Sequence, residues 1–340
     1  MNSVKSLLRV LLLVLPFQLG AQDLDIHWSQ YYNAPFYINP ALTGVFSGDQ
    51  RFTGNYRNQW YNVPVRYETV ALAYDQKFYI PGFKTGLFGG GLHLFHDQAG
   101  ASRLRMLQVA LSGSYTQRLA PKYYLTFGAQ GSFNNRRYST DDLTFDAQYN
   151  GNQFDPTLDP GETFLNTNFN FGSLGIGLNL HNQHSARTWF DLGGGWFNLN
   201  TPKQKFNESA AYRMKPRFTG YLIGGVQATS LIDVMFRGMG MFQGPNYESL
   251  AGLGLKFHLN DAKTRELALH VGVDYRFNEN DAWAPVVGLD FRQWKVSFSY
   301  DLNTSGFREA TNLNGGPELC IQYVITTVKP LPMIKSCPVY

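Results

Sequence analysis

Hydrophobic and polar positions alternate with a period of two along most of this chain, as in a strand that sends successive side chains to opposite faces. Between residues 265 and 277, Leu267, Leu269, Val271, Val273, Tyr275 and Phe277 fall on one face. Glu266, His270, Asp274 and Arg276 share the other with Ala268 and Gly272. From Trp294 to Leu302, Trp294, Val296, Phe298, Tyr300 and Leu302 oppose Lys295, Ser297, Ser299 and Asp301. From Arg105 to Gln117, Leu107, Val109, Leu111 and Tyr115 oppose Gln108, Ser112, Ser114 and Thr116. A soluble sandwich shows the same alternation, so length discriminates. Strands that cross a membrane need about 9 to 11 residues, against about 5 or 6 in soluble sheets.

The candidates are long. The pattern predicts strands over 50–58, 67–78, 84–97, 103–119, 122–134, 167–182 and 186–198. It predicts seven more over 216–229, 231–243, 246–258, 264–277, 282–291, 293–303 and 314–326. Fourteen is an even number, as bacterial outer-membrane barrels require, and such barrels alternate long external loops with short periplasmic turns. The odd-numbered connections include the three longest, 135–166, 199–215 and 304–313, whereas even-numbered ones such as Leu119-Ala120-Pro121-Lys122 are tight. The prediction is an all-β, transmembrane antiparallel barrel of the outer membrane spanning 49–326. An N-terminal plug-like segment, 22–48, precedes it and a tail, 327–340, follows, with both mature termini in the periplasm.

Composition agrees. Aromatics make up 15% of the chain and charged residues only 16%, against roughly 25% in soluble domains. Residues 1–21 read as a signal peptide: Lys5 and Arg9 supply the positive start, Val10 to Leu15 the apolar centre, and Leu19-Gly20-Ala21 the small-residue exit. Its removal takes away two cations, so the formal net charge falls from +4 to +2, a balance that argues against a nucleic-acid partner. Outer-membrane lipid is the implied surrounding.

Ser29 to Gly44 reads SQYYNAPFYINPALTG, rich in aromatics and prolines yet without strand or helix period. Residues 27–46 are expected to pack against or inside the barrel base, as a structural plug or as a docking element for a partner. Tyr56-Arg57-Asn58-Gln59-Trp60 ends the first strand, where an aromatic belt residue such as Trp60 belongs. With Phe52, Gly54 and Tyr56 outward, Arg51, Thr53, Asn55 and Arg57 point inward, where charge is hydrated or paired.

These two segments resemble the opening of the PorP/SprF family of Bacteroidota type IX secretion. The likeness continues in Leu143-Thr144-Phe145-Asp146-Ala147-Gln148-Tyr149, Phe154-Asp155-Pro156, Thr201-Pro202-Lys203-Gln204 and the ending Cys337-Pro338-Val339-Tyr340, and so runs across the mature chain. It implies an outer-membrane barrel that works with periplasmic ring and lipoprotein components of that machine. It also implies support for export of cargo, such as gliding-motility adhesins, bearing a C-terminal signal domain. Partner-contact candidates are Trp28, Ser29, Gln30, Tyr31, Tyr32, Asn39, Pro40, Arg57, Asn58, Gln59 and Trp60.

Other chemistry is thin. Asp155, Asp159 and Glu162 in the longest loop form a weak calcium candidate, since hard cations take carboxylate oxygens; the spacing is not that of an EF-hand. Glycine clusters at Gly86 to Gly91 and Gly193 to Gly195 open no helix and suit strand bends. Paired-ligand histidine spacing, Gly-x-Ser-x-Gly and a spaced cysteine set are all missing, so no cofactor and no enzymatic activity are expected. Cys320 falls on the inward face of the last strand, and the tail can return Cys337 to it, predicting a disulfide across the barrel base. A channel for small or hydrophobic solutes and an adhesin using the 135–166 loop stand as the competing functions.

Overall fold

The computed structural model describes residues 28–59, 67–80, 86–140, 143–161, 166–204, 212–260, 265–277, 282–304 and 314–327. The expected signal peptide and most of the tail lie outside these residues. The barrel strands are β1 (Gln50–Gln59), β2 (Tyr67–Phe78), β3 (Gly86–Ala99), β4 (Leu104–Ala120), β5 (Tyr123–Arg137), β6 (Asn168–Gln183) and β7 (Trp189–Phe197). A two-stranded excursion, β8 (Lys203–Gln204) with β9 (Tyr212–Arg213), interrupts them. Then come β10 (Arg217–Gln227), β11 (Ile232–Gln243), β12 (Asn246–Asn260), β13 (Leu267–Arg276), β14 (Ala282–Phe291), β15 (Trp294–Asn303) and β16 (Asn314–Ile325).

The fourteen long strands each pair antiparallel with their neighbours and form one closed barrel, matching the predicted number, with each predicted boundary met to within three residues. Closure is β1 against β16, in register from Gln50 opposite Ile325 to Arg57 opposite Glu318. Full closure satisfies every strand edge, which a hydrocarbon environment demands. No described helix is long and apolar enough to cross a membrane; the strands do so. β1 starts and β16 ends on one rim, here the terminal rim, and the long connections gather on the opposite, long-loop rim.

The alternation reads directly as burial. β14 runs buried, exposed, buried, exposed over its first eight residues, and β6 keeps the same rhythm through its centre. Outward leucines are bare: Leu111 is 67% exposed and Leu253 63%. Such a continuous apolar belt has no place in water and marks the lipid face. Leu253→Arg, at the middle of β12, is expected to destabilise the barrel by about 2–4 kcal/mol, checked by denaturant unfolding in lipid vesicles. Along β1, Arg51, Thr53, Asn55 and Arg57 are buried inward while Phe52 and Tyr56 face outward, as expected. Asp274 and Arg276 are likewise buried within the lumen. Glu266 falls one residue before β13 and is exposed at the rim rather than lining the lumen.

One inward feature departs from the expected polar lining. Ala71, Phe95, Tyr221, Met239, Met241 and Leu250 point into the barrel and form a core with Trp28, Tyr31, Ala34, Tyr37, Ile38 and Leu42. The N-terminal segment supplies half of that core. A bare lumen would leave these six wall residues facing water; the inserted segment is what makes them apolar by necessity.

Candidate functional site

Residues 28–46 lie inside the barrel. Three short turns shape them: 3-10 turns at Tyr31–Asn33 and Pro40–Leu42, and one helical turn at Pro35–Ile38. Both prolines stand at the start of a turn, where a fixed φ helps and a missing N–H costs nothing. Asn39 caps the last turn by accepting the Ala41 N–H at 2.8 Å. Gly44 then reverses the chain at φ +72°, a conformation that a side chain would strain.

The upper anchor is built from five strands, β1, β12, β13, β15 and β16, chiefly near their long-loop ends. The Glu318 carboxylate accepts the Ser29 N–H at 2.9 Å and the Gln30 N–H at 2.8 Å. The Ser29 hydroxyl donates to Asp301 at 2.6 Å and accepts from Arg276 at 3.0 Å. Arg57 pairs with Asp301 at 2.7 Å and with Glu318 at 3.6 Å, and Arg276 pairs with Glu248 at 3.0 Å and with Asp301 at 3.6 Å. Gln30 donates to Ser299 at 3.0 Å and accepts from Ser297 at 2.5 Å. The five ionic side chains are at most 5% exposed. Each buried charge therefore depends on its partners remaining in place.

The remaining anchors use neutral groups, the Arg217 and Lys77 cations and one further ion pair. Asn39 donates to the Leu178 carbonyl at 2.8 Å and to the Tyr221 hydroxyl at 2.9 Å, and Arg217 donates to the Tyr37 carbonyl at 2.9 Å. Ser114 donates to the Thr43 carbonyl at 2.6 Å. Asp75, held in a fork by Arg51, accepts the Gly44 N–H at 2.7 Å. Arg51 also covers the Phe46 ring at 4.6 Å, and Lys77 donates to the Phe46 carbonyl. The segment thus runs from the long-loop half of the lumen to the terminal rim, well beyond the barrel base where the sequence placed it.

The wall is cut to receive it. A Cβ on Gly195 would stand 2.6 Å from the Ile38 carbonyl oxygen, and one on Gly128 would collide with the Ala41 backbone. Bulk at either position is incompatible with the seated segment. Within the Gly193 to Gly195 cluster, Gly195 serves close approach of the segment backbone and Gly193 makes room for the Tyr221 hydroxyl.

Of the partner-contact candidates, Trp28, Ser29, Gln30, Tyr31, Asn39, Pro40 and Arg57 are brought together in the lumen and buried. Tyr32 joins them under the Arg237 guanidinium, 4.3 Å from the ring centroid. Asn58 and Gln59 end β1, half-buried, and Trp60 lies outside the described residues. None of the buried group meets an outside partner without the segment moving. Sequence reasoning did not single out Glu248, Glu318 or Arg217. A signal was present in β16, where Glu318 is the lone charge on an otherwise neutral inward strand face.

In the longest loop, Asp155 accepts the N–H and hydroxyl of Thr157 at 2.9 and 2.6 Å, and these bonds hold its carboxyl below the usual carboxylate range. Asp159 accepts the Gly161 N–H at 2.9 Å. Both carboxylates close their own turns. Glu162 lies outside the described residues, among which no cluster of metal-ligating side chains occurs. Cys320 is a buried free cysteine in the lumen, and its expected partner Cys337 lies outside the described residues.

Solved structures resemble this barrel in fold alone. The toluene transporter TbuX of Ralstonia pickettii is 14% identical over 84% of this chain and 91% of its own, with a TM-score of 0.47. The toluene transporter TodX of P. putida is 10% identical over 85% and 93%, with a TM-score of 0.45. BamA from Haemophilus ducreyi lacking POTRA domains 1-3 is 10% identical over 82% and 70%, with a TM-score of 0.44. No curated protein matches the sequence. The family model of the type IX secretion system membrane protein PorP/SprF matches residues 21–323. With a closed fourteen-stranded barrel, an apolar outer belt and a match along nearly its whole length, the chain belongs to the PorP/SprF family of type IX secretion system membrane proteins.

Proposed function

We propose that this protein is a non-catalytic outer-membrane component of the type IX secretion system that partners the periplasmic ring and lipoprotein components and supports export or surface anchoring of cargo. The family match over residues 21–323 is the observation that carries this reading. The terminal rim, with its short turns and the end of β16, faces the periplasm in this reading, and the long loops face outward. Residues 28–46 act as a plug, so that the barrel is a docking scaffold rather than an open pore. Their burial and their hydrogen bonds to β1, β2, β4, β6, β10, β15 and β16 support that role over a small-solute channel. Cargo adhesins with a C-terminal signal domain would approach the barrel at a rim.

Crosslinked affinity purification from native membranes, paired with an export assay in a deletion strain, tests the reading. Recovery of secretion components together with loss of cargo from the surface is the expected result. Normal export in the deletion strain, with no secretion component recovered, would overturn it.

A further inference from the structure

Four lumenal arginines, Arg51, Arg57, Arg237 and Arg276, each have a carboxylate partner. Arg217, only 7% exposed at the long-loop end of β10, has none among the described residues. Its guanidinium is sandwiched between the rings of Tyr37 and Phe197, 4.3 and 4.5 Å from their centroids. One edge donates to the Tyr37 carbonyl. The Nε–H has no hydrogen-bond partner among the described residues.

Arg217 borders a small recess of about 40 Å³ between the inserted segment and the barrel wall. Phe36 and Tyr37 form one side, and Gln130, Asn134, Ser173 and Asn198 stand on the other. The lining positions come from the long-loop halves of β3 to β7 and from β10, so the recess sits in the long-loop half of the lumen. Gln130 is 8% exposed, and its amide oxygen also has no hydrogen-bond partner among the described residues. The wall of the recess thus holds, nine-tenths buried, a cation with no carboxylate partner among the described residues and an amide oxygen with no donor. A buried cation without a counter-charge is costly, and a carboxylate with an adjacent N–H or O–H donor satisfies both groups at once.

We propose that the recess bounded by Arg217 and Gln130 binds a carboxylate carrying a neighbouring hydrogen-bond donor, presented from the long-loop side. Arg217 receives the carboxylate on its free edge, Gln130 takes the donor, and the amide and aromatic walls hold the neutral remainder. The site goes beyond the secretion reading, in which Arg217 serves only to hold the Tyr37 carbonyl and the recess has no part. A chain terminus and a small free hydroxy acid share this chemistry.

Calorimetric titration of the full-length protein in detergent micelles distinguishes them. The probes are acetyl-Gly-Gly-Gly with a free carboxylate, its C-terminal amide, and glycolate. Saturable one-to-one binding of at least one acid is expected, with the amide weaker by about tenfold or more, the scale of a lost charge-assisted hydrogen bond. Arg217→Met should weaken the acid by a similar factor. Gln130→Leu, which removes no hydrogen bond seen within the protein, should weaken it by about threefold to tenfold with the fold intact. The peptide binding more tightly than glycolate assigns the site to a chain end; the reverse order assigns it to small acids. Equal affinity for acid and amide, full binding by Arg217→Met, or no saturable binding of either acid overturns the proposal.

Discussion

Glu318→Ala is expected to lower the stability of the folded barrel by about 3–5 kcal/mol, the cost of stripping a buried charge network of one partner. Two effects add. Arg57 loses one of its two carboxylates in the lumen, and the Ser29 and Gln30 N–H groups lose their acceptor. Glu318→Gln removes the charge but keeps a carbonyl acceptor, so it should fall between alanine and the parent. Pairing Glu318→Leu with Arg57→Met removes both charges, and should recover much of the loss because apolar replacement of a buried pair is often neutral. Urea unfolding of the protein refolded into lipid vesicles, followed by tryptophan fluorescence, reads all three. A loss under about 1 kcal/mol in the alanine variant would mean that the pairing is no stronger than an exposed one.

Deleting residues 28–46 is expected to convert a closed barrel into a conducting one. The segment contributes Trp28, Tyr31, Tyr37, Ile38 and Leu42 to the lumenal core and is tied to the wall from Glu318 down to Asp75. Planar-bilayer recording should show steady openings for the deletion and none for the intact protein. The deletion exposes Phe95, Met239 and Met241 to water, so Gly128→Val supplies a gentler route. Its side chain would drive Ala41 off the wall while leaving the segment in the chain. Openings in that variant, and faster proteolysis within residues 28–46, are the expected readouts. Intact, deleted and Gly128→Val proteins that are equally silent would rule out the plug.

Much of the fold was legible because a barrel wall imposes a strict binary rule: one face in lipid, the other in the lumen. β2 and β14 were bounded to the residue, and the closure of β1 on β16 followed from an even strand number. The site was legible in part. Arg57 could be assigned to the lumen by parity, but its carboxylates could not, since Asp301 and Glu318 lie more than 240 positions away and meet it only through closure. The inward Phe95, Met239 and Met241 are apolar where a wet lumen would call for polar residues. They are the wall half of a core whose other half comes from a segment without any period of its own.

By itself, then, the sequence determined the class of fold, the strand number, the lipid face and, through the family it resembles, the cellular machine. These depend on local periodicity and on motifs contiguous in the chain. Tertiary structure alone decided that residues 28–46 thread the lumen to its long-loop half, that Gly128 and Gly195 must stay bare, and that Arg217 meets no counter-charge among the described residues. Each of those depends on which side chains converge across a closed barrel, and convergence across closure leaves no trace in local spacing.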